Sequence, residues 1–506
     1  MPRPQFLSAV IVSLALLPSR LPAQERLGTV HFATSCAPAS APTFDRGIAL
    51  LHSFEFGASI RAFNDVLAAD STCAMAYWGI ALSRWSNPMS AGNRSVAVLE
   101  AGRQAANAAA RLVGRTSSGQ AMERERGYVD AVTQLYADYE HRDQRTRIVA
   151  YERAMADLVA KQPADTEARI FHAIALVATA PPTDKTYANQ IAAGATLEAL
   201  WARQPNHPGL AHYIVHAYDV PALAGRAQAA AARYSEIAPS AAHALHMPSH
   251  TFTRVGLWQQ SINTNLRSIA EAKRTGAIAE ALHAADYATY AYLQLRQDSS
   301  ARAIVDSLPA YSARFDVNAV TGAAPGSAGV FALAAIPARY ALERRDWASA
   351  ASLRPAATAF PYADALSWFA RALGASRLGN TADARISIDS LSAIRERLLT
   401  QKEPDWAEQV AIERLGAQAW LELAERRPED AVAHMREAAV REDATEKSAV
   451  TPGPLAPAHE LMGDLLMELG RPAEALAEYR LTLTKEPGRY RALYGATAAE
   501  RAARDR

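Results

Sequence analysis

Apolar residues recur along this chain at steps of three and four, and most Gly and Pro residues fall between the periodic segments. That spacing draws one apolar stripe per α-helix, with Gly and Pro marking the helix boundaries. Ala, Leu, Arg and Glu, all good helix formers, are abundant. No block of alternating β-branched residues is long enough to read as a sheet, so the expected class is all-α. At 506 residues, half of them hydrophobic and 21% charged, the chain has ample material for a core. Its length alone suggests about three domains, but a recurring helix pair is the other way to use so many helices.

The clearest unit is AHELMGDLLMELGRPAEALAEYRLTLTKEP, residues 458–487. Gly463 lets two helices approach, Gly470 turns the chain, and Ala475, Tyr479 and Pro487 mark the second helix and its stop. This unit resembles a tetratricopeptide (TPR) repeat, with His459 where that family usually has a large aromatic. DTEARIFHAIAL, LGNTADARISI and PEDAVAHMREAA follow the same plan more weakly, as does RGIALLHSFEFGASIRAFNDVLAADSTCAMAYWGIAL, where Gly47 and Gly79 fall at matching places. The resemblance runs from Thr43 to Arg501. It implies an α-α superhelix, a TPR-like solenoid of antiparallel helix pairs, with a concave groove that binds a protein, peptide or small-molecule ligand. No enzyme activity comes with the repeat itself. The expected layout is a signal peptide at 1–23, an extended segment at 24–39, an N-terminal solenoid at 40–315, a linker at 316–333 around TGAAPGSAG, and a C-terminal solenoid at 334–506.

Charge and the first residues limit the partners and the compartment. Lys+Arg 53 against Asp+Glu 52 leaves a net charge of +1, which gives no electrostatic footprint for a nucleic-acid binder. Arg3, the apolar run Leu7 to Leu17 and the break at Pro18 read as a secretory leader cut after Ala23. With no later run of about 18 apolar residues, no transmembrane span is expected in the mature chain. A secreted or periplasmic location follows, and there Cys36 and Cys73, the two cysteines present, suit a disulfide; two buried free thiols are the alternative.

The chain has 13 histidines, and seven lie between His207 and His283. Pro205 and Pro239 end successive helix pairs, and the interval between them is the length of one TPR unit. Asn206 and Ser240 are N-cap types for the helices that follow. In this register His212 corresponds to His246 and His216 to His250, so two neighbouring helices each carry a His-x-x-x-His pair. Residues four apart share a helix face, and each histidine follows a packing position by one residue. By resemblance, that stripe is the wall of the concave groove. Asp219 continues it and His243 precedes it. A somewhat longer offset, taking His243 onto His283, brings Asp286 and Tyr290 into line with His246 and His250, and His172 is a further neighbour. Pro248 is expected to break the helix between His246 and His250.

Imidazole is a ligand for Zn, Cu and Fe, and i,i+4 histidines can share one ion. His212, His216, His246 and His250 are therefore the first-choice metal ligands, with His243 and His283 behind them. Asp219, Asp286 and Tyr290 are candidates for acid/base work or for orienting a ligand. A groove that binds without metal, and a structural role for the imidazoles, are the competing readings. The phosphate loop GxxxxGK[ST], GxSxG, HExxH and CxxCH are all absent from the sequence. Any catalysis falls to the histidines, as a metal-dependent hydrolase or oxidoreductase. Otherwise the chain is a ligand-binding or metal-free envelope scaffold.

Overall fold

Phe63 shows how the helices are joined. A side-chain carbon added at Gly47 would lie 2.9 Å from its ring, and one at Gly79 only 2.4 Å, so the ring wedges between helices Ala41–His52 and Ala74–Trp85. The same device closes the far end, where Tyr479 lies against Gly463 and Gly495. Large against small at each crossing lets helices pack closely without voids.

The computed structural model describes residues 25–89, 93–113 and 119–505; the leader expected at 1–23 lies outside them. Among the described residues every regular element is a helix, each packed chiefly on its neighbours in sequence. The fold is an all-α solenoid of antiparallel helix pairs. None of the described helices is long and apolar enough to cross a membrane. Trp78 and Trp85 are core. In the stretch expected as a linker, helix Gly326–Glu343 begins at Gly326.

Residues 25–37 are non-helical and stitch the first helices to the histidine region. Thr29 donates its backbone N–H to Asn206 O at 2.9 Å, and Arg26 donates to Ser240 Oγ at 2.9 Å. Asn206 and Ser240 therefore serve this segment and do not cap: the helices start one residue later, after His207 and Ala241. Cys36 and Cys73 form a disulfide, which fastens the segment to the start of helix Ala74–Trp85.

The C-terminal half returns to the N-terminal half. Trp258 Nε1 donates to Gly488 O at 3.1 Å, and Arg489 donates to Tyr290 Oη at 2.9 Å. Between these halves runs the irregular stretch 445–457. Arg339 donates to the carbonyls of Gly453 and Pro454, and Tyr287 Oη lies 3.1 Å from the carbonyl oxygens of Ala449 and Thr451. This stretch covers the place where an open groove was expected.

Candidate metal centre

Helix Pro208–Ala217 carries His212 and His216, and every one of its ten residues is buried. Beside it, Ala242–His246 and Pro248–Arg254 are two short helices meeting at Met247. Pro248, which has no N–H to donate, breaks the run as expected. The break still leaves His246 and His250 together, with Nε2 atoms 3.0 Å apart. Helix Ile278–Gln294 brings His283 and Tyr287 from the next layer.

The imidazoles divide into two triads. His212, His216 and His243 form one, and His246, His250 and His283 the other; within each, the ligand nitrogens lie within 4.8 Å of one another. The first-choice set of four is thus split between two groups, and the two lesser candidates, His243 and His283, complete one each. The rings also touch across the division, at 5.9 Å between His243 and His246 and 6.2 Å between His216 and His250. All six are buried, His212 and His246 with no exposure at all. The expected open wall is a covered chamber, because helix Ile278–Gln294 and stretch 445–457 close over it.

Hydrogen bonds at Nδ1 fix which nitrogen faces inward. His212 Nδ1 donates to the His52 carbonyl at 2.6 Å, and His243 Nδ1 to Glu280 Oε1 at 2.9 Å. His246 Nδ1 donates to Asn265 Oδ1 at 2.7 Å. The Asn265 amide is oriented for this, since its Nδ2 donates to Ser261 O at 2.7 Å. His250 Nδ1 donates to Asp219 Oδ2 at 2.8 Å. In all four, Nε2 is left with its lone pair. The Nε2 atoms of His212, His216 and His243 are buried with no hydrogen-bond partner.

Burial holds His212, His216, His246 and His283 well below the ordinary imidazole value, and their neighbouring imidazoles push the same way. Burial also lowers His250, against the pull of Asp219. Burial alone would raise the Asp219 carboxyl, but Lys447, Arg254 and His250 hold it well below its usual range. The chamber therefore favours neutral imidazoles, the form that binds metal.

Two sequence-derived candidates stand elsewhere. Asp286 is paired with Arg339 at 3.0 Å, both buried. Tyr290, two turns beyond His283, donates to Glu486 at 2.6 Å. His172 is likewise apart, 3.0 Å from Glu152. Asp219 does reach the site, through the far edge of His250. Lys447, whose Nζ is 3.5 Å from Asp219 Oδ2, Glu280 and Asn265 were not singled out from sequence. They come to the site from separate parts of the chain, with no motif to join them to the histidines. A third group was also missed. Glu167 bridges His52 and His207, each at 2.9 Å, and Tyr213 closes it at 3.1 Å from His52 Nδ1.

A cavity of about 40 Å³ touches His216 and His243 of one triad and His250 and His283 of the other. Tyr362 and Trp406, stacked at 4.2 Å, separate it from a second cavity of about 60 Å³ that holds Lys447, Glu413 and Glu442. Burial pushes Glu413 up to about 8 and Lys447 down to about 8.

No protein family and no curated protein matches the sequence. Solved structures of similar overall build do exist. Yeast Tom70 is 11% identical with a TM-score of 0.40, covering 92% of this chain and 96% of its own. Human IFIT1, solved as a dimer with m7Gppp-AAAA, is 13% identical with a TM-score of 0.41, covering 85% and 90%. Cut9 of the APC/C Cut9–Hcn1 hetero-tetramer is 12% identical at 0.38, covering 92% and 78%. Likenesses this loose carry no argument about function. Fold and site together define the class as a helical-repeat solenoid with a buried polyimidazole centre.

Proposed function

We propose that this chain is an exported, TPR-type solenoid whose two imidazole triads bind a transition metal, with the adjoining cavity admitting a ligand to it. One observation carries the reading. His246 and His250 have committed their Nδ1–H groups to Asn265 and Asp219, yet their Nε2 atoms stand 3.0 Å apart. Two lone pairs so placed need a proton or a cation between them, and burial disfavours the extra proton. A separation near 3.0 Å suits two nitrogens about 2.1 Å from one ion. The acceptors at the far edges are those that orient metal-bound histidines.

Zinc, copper and iron all accept imidazole. Export is supported by the charged-then-apolar pattern of residues 1–23 and by the Cys36–Cys73 disulfide. The near-zero net charge supports a partner other than nucleic acid. The second reading, a metal-dependent enzyme, is favoured by Lys447, Glu413 and Glu442, which line the next cavity with shifted pKa values, since perturbed ionisable groups beside a metal are common catalytic equipment.

Metal analysis of protein purified without chelators or a His tag tests the reading, beside a His212→Ala/His246→Ala variant. At least one equivalent of transition metal is expected, and a large loss in the variant with the helical signal kept. Metal-free protein in both forms, even after reconstitution, would return the chain to a metal-free scaffold.

A further inference from the structure

We infer that the triads hold two copper ions, one each, and that the pair takes dioxygen as a shared ligand. This rests on the metal reading above and specifies nuclearity, element and ligand.

Partition comes first. Nitrogens bound to one ion at about 2.0–2.1 Å must all lie close to one another, and among the described residues the imidazole nitrogens that lie within 4.8 Å of one another come in threes, so each ion gathers three of these imidazoles. His212 packs on His216 at 4.7 Å and on His243 at 5.0 Å, while His283 packs on His246 at 4.5 Å. These are opposite ends of the cluster. The contacts across the division, His216 to His250 and His243 to His246, bring the two groups close enough for their ions to share one small ligand.

The donor set selects the element. The inward-facing atoms are imidazole nitrogens, whereas the carboxylates of Asp219 and Glu280 are taken up at the outer edges. Ions that prefer oxygen, such as magnesium, calcium and manganese, are poorly served, and copper heads the affinity series for nitrogen donors. Six neutral ligands in a dry chamber also favour low charge, because the cost of burying an ion grows with its charge. Copper alone among the imidazole-loving candidates has a stable monovalent form, and three nitrogens leave its next position open.

The ligand follows from the cavity. It touches both triads, and much of its wall is Met89, Met247, Ala323, Ala328 and Val450. At about 40 Å³ it is of the size that takes a water or two. A diatomic fits and an aromatic ring does not, while the apolar wall favours an uncharged guest. The step balances without an outside reagent beyond dioxygen. Each Cu(I) gives one electron, two Cu(II) result, and O2 becomes a peroxide held between them, with the O–O bond kept and no proton moved.

Metal-free full-length protein loaded anaerobically with Cu(I), then exposed to O2, tests this directly. Two coppers per chain are expected, with one O2 consumed per two coppers. The oxidised protein should show an intense near-ultraviolet peroxide-to-copper band, and its EPR signal should account for only a small part of the copper, since bridged Cu(II) ions couple. His212→Ala and His283→Ala, which touch different triads, should each keep about one copper and lose O2 uptake. One copper per wild-type chain overturns the pair and leaves the metal reading standing. Two coppers that ignore O2, or that give a full EPR signal after oxidation, overturn the shared ligand. No copper at all overturns this inference, and if zinc and iron also fail, the reading beneath it.

Discussion

Four of the six imidazoles, His212, His243, His246 and His250, have an outer nitrogen that anchors them and an inner one that faces the chamber, and the anchors are testable one at a time. Asp219 receives His250 and, at 2.9 Å, Arg254 Nε; Glu280 receives His243 and the Ala324 N–H at 2.8 Å. Neither carboxylate is among the inward-facing ligands. Glu280→Gln and Asp219→Asn should therefore keep the metal stoichiometry but weaken affinity roughly 10–100-fold, read by competition with a chelator of known strength. Unchanged affinity would mean that these carboxylates only support the fold. At this scale the sequence was informative about ligands and silent about anchors. The repeat register found His212, His216, His246 and His250 because duplication keeps spacing. Asp286 fitted the longer offset equally well, yet the buried Arg339 claims it. Pattern alone has no means of seeing that competition, and Glu280 and Lys447 belong to no pattern at all.

Helix pairs were legible because their cause is local. Gly47 and Gly79 sit at matching places on successive units, and the structure puts both against the Phe63 ring. Gly79→Ala would set a methyl 2.4 Å from that ring. Phe63 is fully buried and its ring has little room to yield, so a loss of about 1–3 kcal/mol is expected, seen as a lower midpoint in urea with the slope unchanged. Gly379 offers the control in space, since nothing lies within 4 Å of an added carbon there, although its φ of +76° adds strain of its own. Gly119→Ala, with no described atom within 4 Å of the added carbon and no left-handed φ, should cost only what a poorer cap costs, about 1 kcal/mol or less, since Gly119 is the N-cap of helix Gln120–Gln134. The caps were less legible than the glycines. Asn206 and Ser240 have the right chemistry for N-caps, but residues 26–29 take up the Ser240 hydroxyl and the Asn206 backbone carbonyl in a tertiary contact. Local propensity lost to a contact with the far N-terminal segment.

Closure of the whole molecule decides what kind of site this is, and nothing in a repeat pattern announces it. A solenoid read unit by unit leaves its inner wall open, whereas here the C-terminal half folds back and stretch 445–457 covers the histidines. Arg489 is the keystone of that return. It is fully buried, pairs with Glu460 at 2.7 Å and Glu343 at 2.8 Å, and reaches Tyr290 of the N-terminal half at 2.9 Å. Removing it leaves Glu343 buried without its paired cation and leaves Glu460 to Arg491 at 3.3 Å, and breaking a buried pair in this way costs about 3–5 kcal/mol in comparable settings. Arg344, whose pair with Asp298 is about one-third exposed at 3.2 Å, should cost less than about 1 kcal/mol when removed. The two variants also separate stability from cover. If the return of the C-terminal half is what shields the triads, Arg489→Ala should release metal to a chelator much faster than wild type at a temperature where both remain helical, while Arg344→Ala should match wild type. Equal release rates in all three would mean that the metal reaches solvent by another route, past helix Pro208–Ala217 and the residue 25–37 segment, and the shielding role would pass from the C-terminal half to that N-terminal segment.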